Sequence, residues 1–163
     1  SISDLLESVK VLPMNGDQSF ELNQKELNYS YRKSRLQYEK LIVISAKLKL
    51  EPGHDSKQLL EATNLNLQKR INTQPYEQPS CGSVFRNPEH NKAGQLIEDI
   101  GLKGFCIGGA EISRKHANFI VNKNNATAKD INDLINHIQD SIQNCYGIKL
   151  HTEVKRLGFD ISI

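Results

Sequence analysis

The chain has 163 residues, a formal net charge of +2, 37% hydrophobic and 25% charged residues. That is enough apolar residue for one domain plus part of another, and it argues against a disordered chain. Lys and Arg are spread without any block of like charge, which argues against a nucleic-acid binder but leaves room for a phosphate-bearing small ligand.

From the N-terminus, residues 5–12 and 19–22 read as two strands around Asn15-Gly16-Asp17, a hairpin turn signal. Residues 41–50, LIVISAKLKL, open as a continuous apolar run and then alternate. This pattern predicts a strand with one end buried on both faces. Pro52-Gly53 ends it, and Asp55 is placed to cap a helix running to about Asn72. The proline-containing stretch Thr73–Pro79 has no periodicity and is the expected domain boundary. We therefore expect one piece over residues 1–74 and a second over 75–163.

Beyond the boundary comes the glycine-punctuated run SCGSVFRNP (80–88), then a short helix over Ala93–Ile100. Residues 101–110 hold four glycines and are expected to be loop with at most a short strand, followed by a brief strand at Phe119-Ile120-Val121. From Thr127 to Tyr146 the residues Ile131, Leu134, Ile135, Ile138, Ile142 and Cys145 fall on one helical face. Thr127 and Asp130 form a capping-box pair, and Gly147 suits the left-handed position after the last turn. A closing strand is expected over Ile148–Leu157. Ile148, Leu150, Thr152 and Val154 would share one face, with Lys149, His151, Glu153 and Lys155 on the polar one. The order of elements predicts an α+β fold with an antiparallel sheet and packed helices.

Cys81, Cys106 and Cys145 are odd in number and lack CxxC spacing; the five histidines show no HxxxH pair. A disulfide framework and a metal site are therefore not expected, and the thiols suit a reducing, cytoplasmic setting. There is no long apolar run and no basic segment leading into one at the start, so neither a membrane span nor a signal peptide is expected. Cys81 has no histidine near it in sequence and reads as a small packed residue.

Four stretches carry a collinear resemblance: Tyr31-Arg32-Lys33-Ser34, SCGSVFRNP (80–88), AGQLIEDIGLKGFCIGGAEIS (93–113) and HTEVKRLG (151–158), with HANFIVNKNNATAKD between the last two. Together they resemble the UDP-N-acetylenolpyruvoylglucosamine reductases, the MurB family, in its shorter-loop type. The resemblance implies an oxidoreductase of peptidoglycan synthesis. Its members reduce the enolpyruvyl ether of UDP-N-acetylglucosamine to UDP-N-acetylmuramate, with FAD as cofactor and NADPH as reductant. It further implies that residues 1–74 are the end of the flavin-binding domain's second lobe with a connecting helix, and that 75–163 are the substrate domain. The family's glycine-rich, diphosphate-cradling loop has no counterpart here, so the chain reads as a fragment with its flavin contacts unassigned.

By that resemblance Ser83 is the general acid that protonates C2 of the substrate. Arg32 stabilises the developing enolate, and Glu153 acts on the same carboxylate or enol. Asn87 and Lys103 hold the nucleotide sugar or its phosphates, and Arg86 is a further phosphate-ligand candidate. Gly108 and Gly109 permit close backbone approach to a ligand or flavin. From another functional class, Asn87, Lys103 and Arg32 also suit a flavin-free module that binds UDP-sugars, and a third reading is an interaction domain without a ligand.

Overall fold

The structure, a computed structural model, describes residues 1–158; residues 159–163 of the expected second domain lie outside them. The chain divides into two compact units, Ser1–Leu59 and a second that starts at Leu60.

In the first unit, one helical turn, α1 (Ile2–Leu5), leads into β1 (Leu6–Pro13), and the Asn15-Gly16 turn returns the chain as β2 (Phe20–Asn23). A one-turn 3-10 helix (Arg35–Gln37) precedes β3 (Leu41–Leu48). The strand order is β2-β1-β3, all antiparallel. Leu6, Val9 and Val11 of β1 bury one face against Leu22 and Leu27, with Leu36 and Leu41 packed at the margin. The expectation that one end of β3 is buried on both faces fails here. β3 is an edge strand, and its residues are exposed from Ile42 onward. A strand gains two-sided cover only when something lies on its outer edge and both faces.

Helix α2 (Ser56–Thr73) begins where the sequence places its cap: the Asp55 carboxylate accepts from the backbone N–H of Lys57 at 2.9 Å and of Gln58 at 3.0 Å. It buries no residue, in keeping with its ragged apolar stripe.

The second unit carries an antiparallel sheet in the order β4-β7-β6-β5, made of β4 (Ser80–Ser83), β5 (Cys106–Ile107), β6 (Ala110–Ile112) and β7 (Phe119–Asn122). Helices α3 (Ala93–Asp99) and α4 (Ala128–Tyr146) supply the rest of the core. Leu134, Ile135, Ile138 and Ile142 are the buried stripe of α4, packed with Ile97, Ile112, Ile120 and Leu150. Each such side chain contributes about 1.5–3 kcal/mol of apolar burial before entropy is counted. Ile131 is only partly buried and Cys145, at the far end of the predicted stripe, is exposed. β6 escaped sequence reading because only three residues, all buried, separate the glycine loop from the next turn.

The ends of α4 follow the sequence closely. Thr127 Oγ1 accepts from Asp130 N at 3.1 Å, Asp130 Oδ2 accepts from Thr127 N at 2.9 Å, and Gly147 takes φ 68°. Thr127→Ala is expected to destabilise the second unit by about 1 kcal/mol, read from its urea unfolding midpoint. A loss below a few tenths would show that the cap is dispensable.

The closing strand does not form. Over 148–157 only Thr152 makes a β-bridge, to Phe85. The predicted inward residues still turn inward: Leu150 is buried and Ile148 and Val154 pack on the core. The alternation was real, but with a single short partner segment there is no ladder to make it a strand.

Candidate active site

The second unit builds its site along one backbone strip, residues 83–87. Ser83 ends β4 opposite Phe119 of β7. The next residue, Val84, donates its N–H to Asn118 O at 2.8 Å. Asn118, 5% exposed, then grips Phe85 from the side: its Oδ1 accepts from Phe85 N at 3.0 Å, and its Nδ2 donates to Phe85 O at 2.9 Å. A side-chain amide here does the work of a neighbouring strand, because a buried backbone pair needs partners.

The segment 151–153 lies against the other edge of this strip. Glu153 N donates to Val84 O at 2.7 Å, and Arg86 N donates to His151 O at 2.9 Å. This pairing brings Arg86 and Glu153 together, with Nε 3.5 Å from Oε2 and both side chains partly shielded. Arg86 therefore faces a carboxylate, which disfavours its expected role as a phosphate ligand. A guanidinium at that distance limits the rotamers of Glu153.

Asn87 follows and turns its Oδ1 to accept from Ala93 N at 3.1 Å, satisfying a free N–H at the start of α3. Lys103 sits two residues beyond Gly101, with Nζ 2.6 Å from Glu98 Oε1 at the end of α3. A phosphate reaching Lys103 meets a cation already paired with a carboxylate.

Ser83 opens on a cavity of about 440 Å³ lined by Arg70, Gln74, Tyr76, Ser80, Ser83 and Phe119, among others. This is the size range of small-molecule sites. Asn87, Lys103 and Glu153 do not line it. Arg70, in the last turn of α2, and Tyr76, within the Thr73–Pro79 stretch, were not among the expected site residues. Their signal was a basic and an aromatic residue on either side of Pro75.

Arg32 belongs to the first unit and is described there. It occupies a tight turn closed by the Ser30–Lys33 bridge, at φ 57°. That left-handed conformation costs a non-glycine residue about 1–2 kcal/mol. Its guanidinium carbon lies 5.7 Å from the centre of the Tyr31 ring, a cation–π contact that fixes its direction.

Other expectations change with the geometry. Cys81 is exposed and not packed, and desolvation around its sulfur pushes the thiol above its ordinary pKa, the reverse of an activated nucleophile. Gly108 and Gly109 are tight against their own chain. A Cβ on Gly108 would strike the Asp130 carboxylate, and one on Gly109 would strike Asn124 O and the Ala126 backbone. Gly109 N also donates to Asp130 Oδ2 at 3.2 Å. The Thr127 N–H first, then the Gly109 N–H, hold the Asp130 carboxyl below its usual range. So these glycines seat the loop on the N-terminus of α4.

Residues 74–157 match the family model of the UDP-N-acetylenolpyruvoylglucosamine reductase C-terminal domain. The chain belongs to this family. It is 59% identical over 157 residues to the UDP-N-acetylenolpyruvoylglucosamine reductase of Synechococcus sp. (strain CC9605), covering 96% of this chain and 52% of that protein. To the protein of the same name in Prochlorococcus marinus (strain MIT 9313) it is 59% identical over 158 residues, 97% of this chain and 52% of the relative. The crystal structure of the reductase (MurB) from Thermus caldophilus superposes with a TM-score of 0.73 at 33% identity, over 94% of this chain and 53% of that one. The chain thus spans about half the length of the relatives it matches. The family and the α+β, antiparallel fold expected from the sequence both stand. Among the described residues, no helix is long and apolar enough to cross a membrane.

Proposed function

We propose that this chain supplies the substrate-handling half of a UDP-N-acetylenolpyruvoylglucosamine reductase, with residues 1–74 as the end of the flavin-binding domain and 75–163 as the substrate domain. The observation that carries the reading is Ser83: an exposed hydroxyl on a backbone strip gripped from both sides, opening on a cavity of ligand size.

The reaction adds hydride to C3 of the enolpyruvyl group and a proton to C2, converting a C=C bond to a single bond. NADPH is the ultimate hydride source through FAD. The space beside Gly108 and Gly109 is filled by the chain's own atoms. We assign no residue of this chain to the flavin.

The chain's own residues handle charge and proton. As negative charge develops at C2 and on the adjoining carboxylate, Ser83 Oγ–H donates its proton to C2. The Arg32 guanidinium balances that charge. Glu153, held by Arg86, acts at the carboxylate or enol, while Asn87 and Lys103 take the nucleotide-sugar end.

The test is a chimera in which this chain replaces the matching half of the Synechococcus relative. It is expected to oxidise NADPH in step with loss of UDP-N-acetylglucosamine enolpyruvate. A chimera that folds and holds flavin, yet leaves the enolpyruvyl substrate intact, overturns the reading.

A second reading is a flavin-free module that binds UDP-sugars through Asn87, Lys103 and Arg32, favoured by the ligand-sized cavity beside Ser83. Calorimetry of the chain alone with UDP-N-acetylglucosamine decides it: heat with a saturating isotherm supports it, and a flat trace removes it.

A further inference from the structure

Glu153 stands on a segment that secondary structure barely holds. Over 148–157 only Thr152 makes a β-bridge. Two backbone hydrogen bonds, Arg86 N to His151 O and Glu153 N to Val84 O, tie the segment to the strip 83–87. Leu150 and Val154 pack on the core. Apolar burial has no direction, so those two contacts set the depth of the segment and leave its orientation open.

Helix α4 supplies the orientation. Beside its buried stripe runs a second one, Asn132, Asn136 and Gln139, at the i, i+4, i+7 spacing of one helix face. All three carry side-chain amides, and all three meet this segment. Ahead of Glu153, Gln139 Nε2 donates to Leu150 O at 2.8 Å. Behind it, Arg156 Nη1 donates to Asn132 Oδ1 at 2.9 Å and to Asn136 Oδ1 at 3.2 Å. Arg156 Nε is buried with no hydrogen-bond partner among the described residues. A guanidinium that leaves water with one nitrogen unsatisfied is kept there by what another nitrogen gains. Glu153 is thus the middle of a short span clasped on both sides to one helix.

We propose that Arg156, clasped to Asn132 and Asn136, is a positioning residue for Glu153, acting on the substrate only through the segment that carries the carboxylate. Its effect on the reaction rests on the role of Glu153 proposed above; the clasp itself does not.

Amide hydrogen exchange in the chain alone tests the clasp. Arg156→Ala is expected to speed exchange at the Arg86 and Glu153 N–H groups by about tenfold or more, the signature of local opening. The Val84 N–H, bonded to Asn118 O on the other edge of the strip, should keep its rate. The double variant Asn132→Ala/Asn136→Ala should reproduce this pattern. Alanine is the better helix former, so faster exchange in that variant does not come from a weakened α4. Adding Arg156→Ala to it should change nothing further, because both remove the same contacts. Unchanged exchange in either variant overturns the proposal. So does equal opening at Val84, which marks a general loss of stability.

Kinetics in the chimera test the consequence. Arg156→Ala is expected to lower kcat for enolpyruvyl reduction by about 10–100-fold, the scale of a group misplaced by about an ångström. With Glu153→Gln already present, the further loss should be less than about twofold. An unchanged kcat with Glu153 in place, or the full loss repeated without it, overturns the positioning role. A parent chimera that leaves the enolpyruvyl substrate intact counts against the reaction proposed above, and exchange still decides the clasp.

Discussion

Replacing Ser83 by alanine in the chimera is expected to lower the rate of enolpyruvyl reduction by about 10²–10³-fold, the scale of losing one group that acts only on transition-state charge. Reduction of the flavin by NADPH should be unchanged, because the proton at C2 belongs to the second half-reaction. Folding should be unchanged too. Ser83 is exposed, its register with Phe119 is a backbone matter, and its strip is held by Asn118 and by the 151–153 segment. Rapid mixing that follows the two half-reactions separately is the measurement. Equal loss in both would mean that Ser83 shapes the cavity and does not donate the proton.

The second large effect falls on Asn118, which touches none of the proposed reacting atoms. Asn118→Ala removes both hydrogen bonds to Phe85 and leaves a buried N–H and a buried C=O without partners. At about 1–3 kcal/mol for each unsatisfied group, the expected destabilisation is about 2–6 kcal/mol. It should be read from the urea midpoint of the chain itself. Asn118→Asp retains an acceptor for Phe85 N but loses the donor to Phe85 O and buries a carboxyl group, so it should not restore stability. A loss under about 1 kcal/mol for the alanine variant would mean that water or a relaxed backbone replaces the amide. Because the same strip carries Ser83, Arg86 and Asn87, the alanine variant should also weaken any ligand binding seen with the native chain.

These two residues illustrate different kinds of legibility. Ser83 was visible because the run SCGSVFRNP resembles a family motif, and resemblance assigns a role without any knowledge of contacts. Asn118 lay inside a quoted segment, HANFIVN, yet nothing in spacing or composition marks an asparagine whose amide will replace a strand 33 residues away. The same holds for Arg86: beside Asn87 it looked like a phosphate ligand, and only the pairing of 84–86 with 151–153 revealed its carboxylate partner.

What the sequence determined by itself was local or periodic. The stripe and both ends of α4, the Asp55 cap of α2, the Asn-Gly hairpin of β1 and β2 and the family all follow from residues within a few positions of one another, or from collinear motifs. Tertiary structure decided what depends on a neighbour far along the chain. It left Ile148–Leu157 as an extended segment with a single bridge, because burial alternates with side-chain direction whether or not a hydrogen-bonded partner is present. It filled the space beside Gly108 and Gly109 with Asp130 and the 124–126 backbone, because a glycine permits close approach without specifying what approaches. It also left β3 at an edge, since an apolar run encodes a demand for cover, and only the rest of the fold determines whether that cover is there.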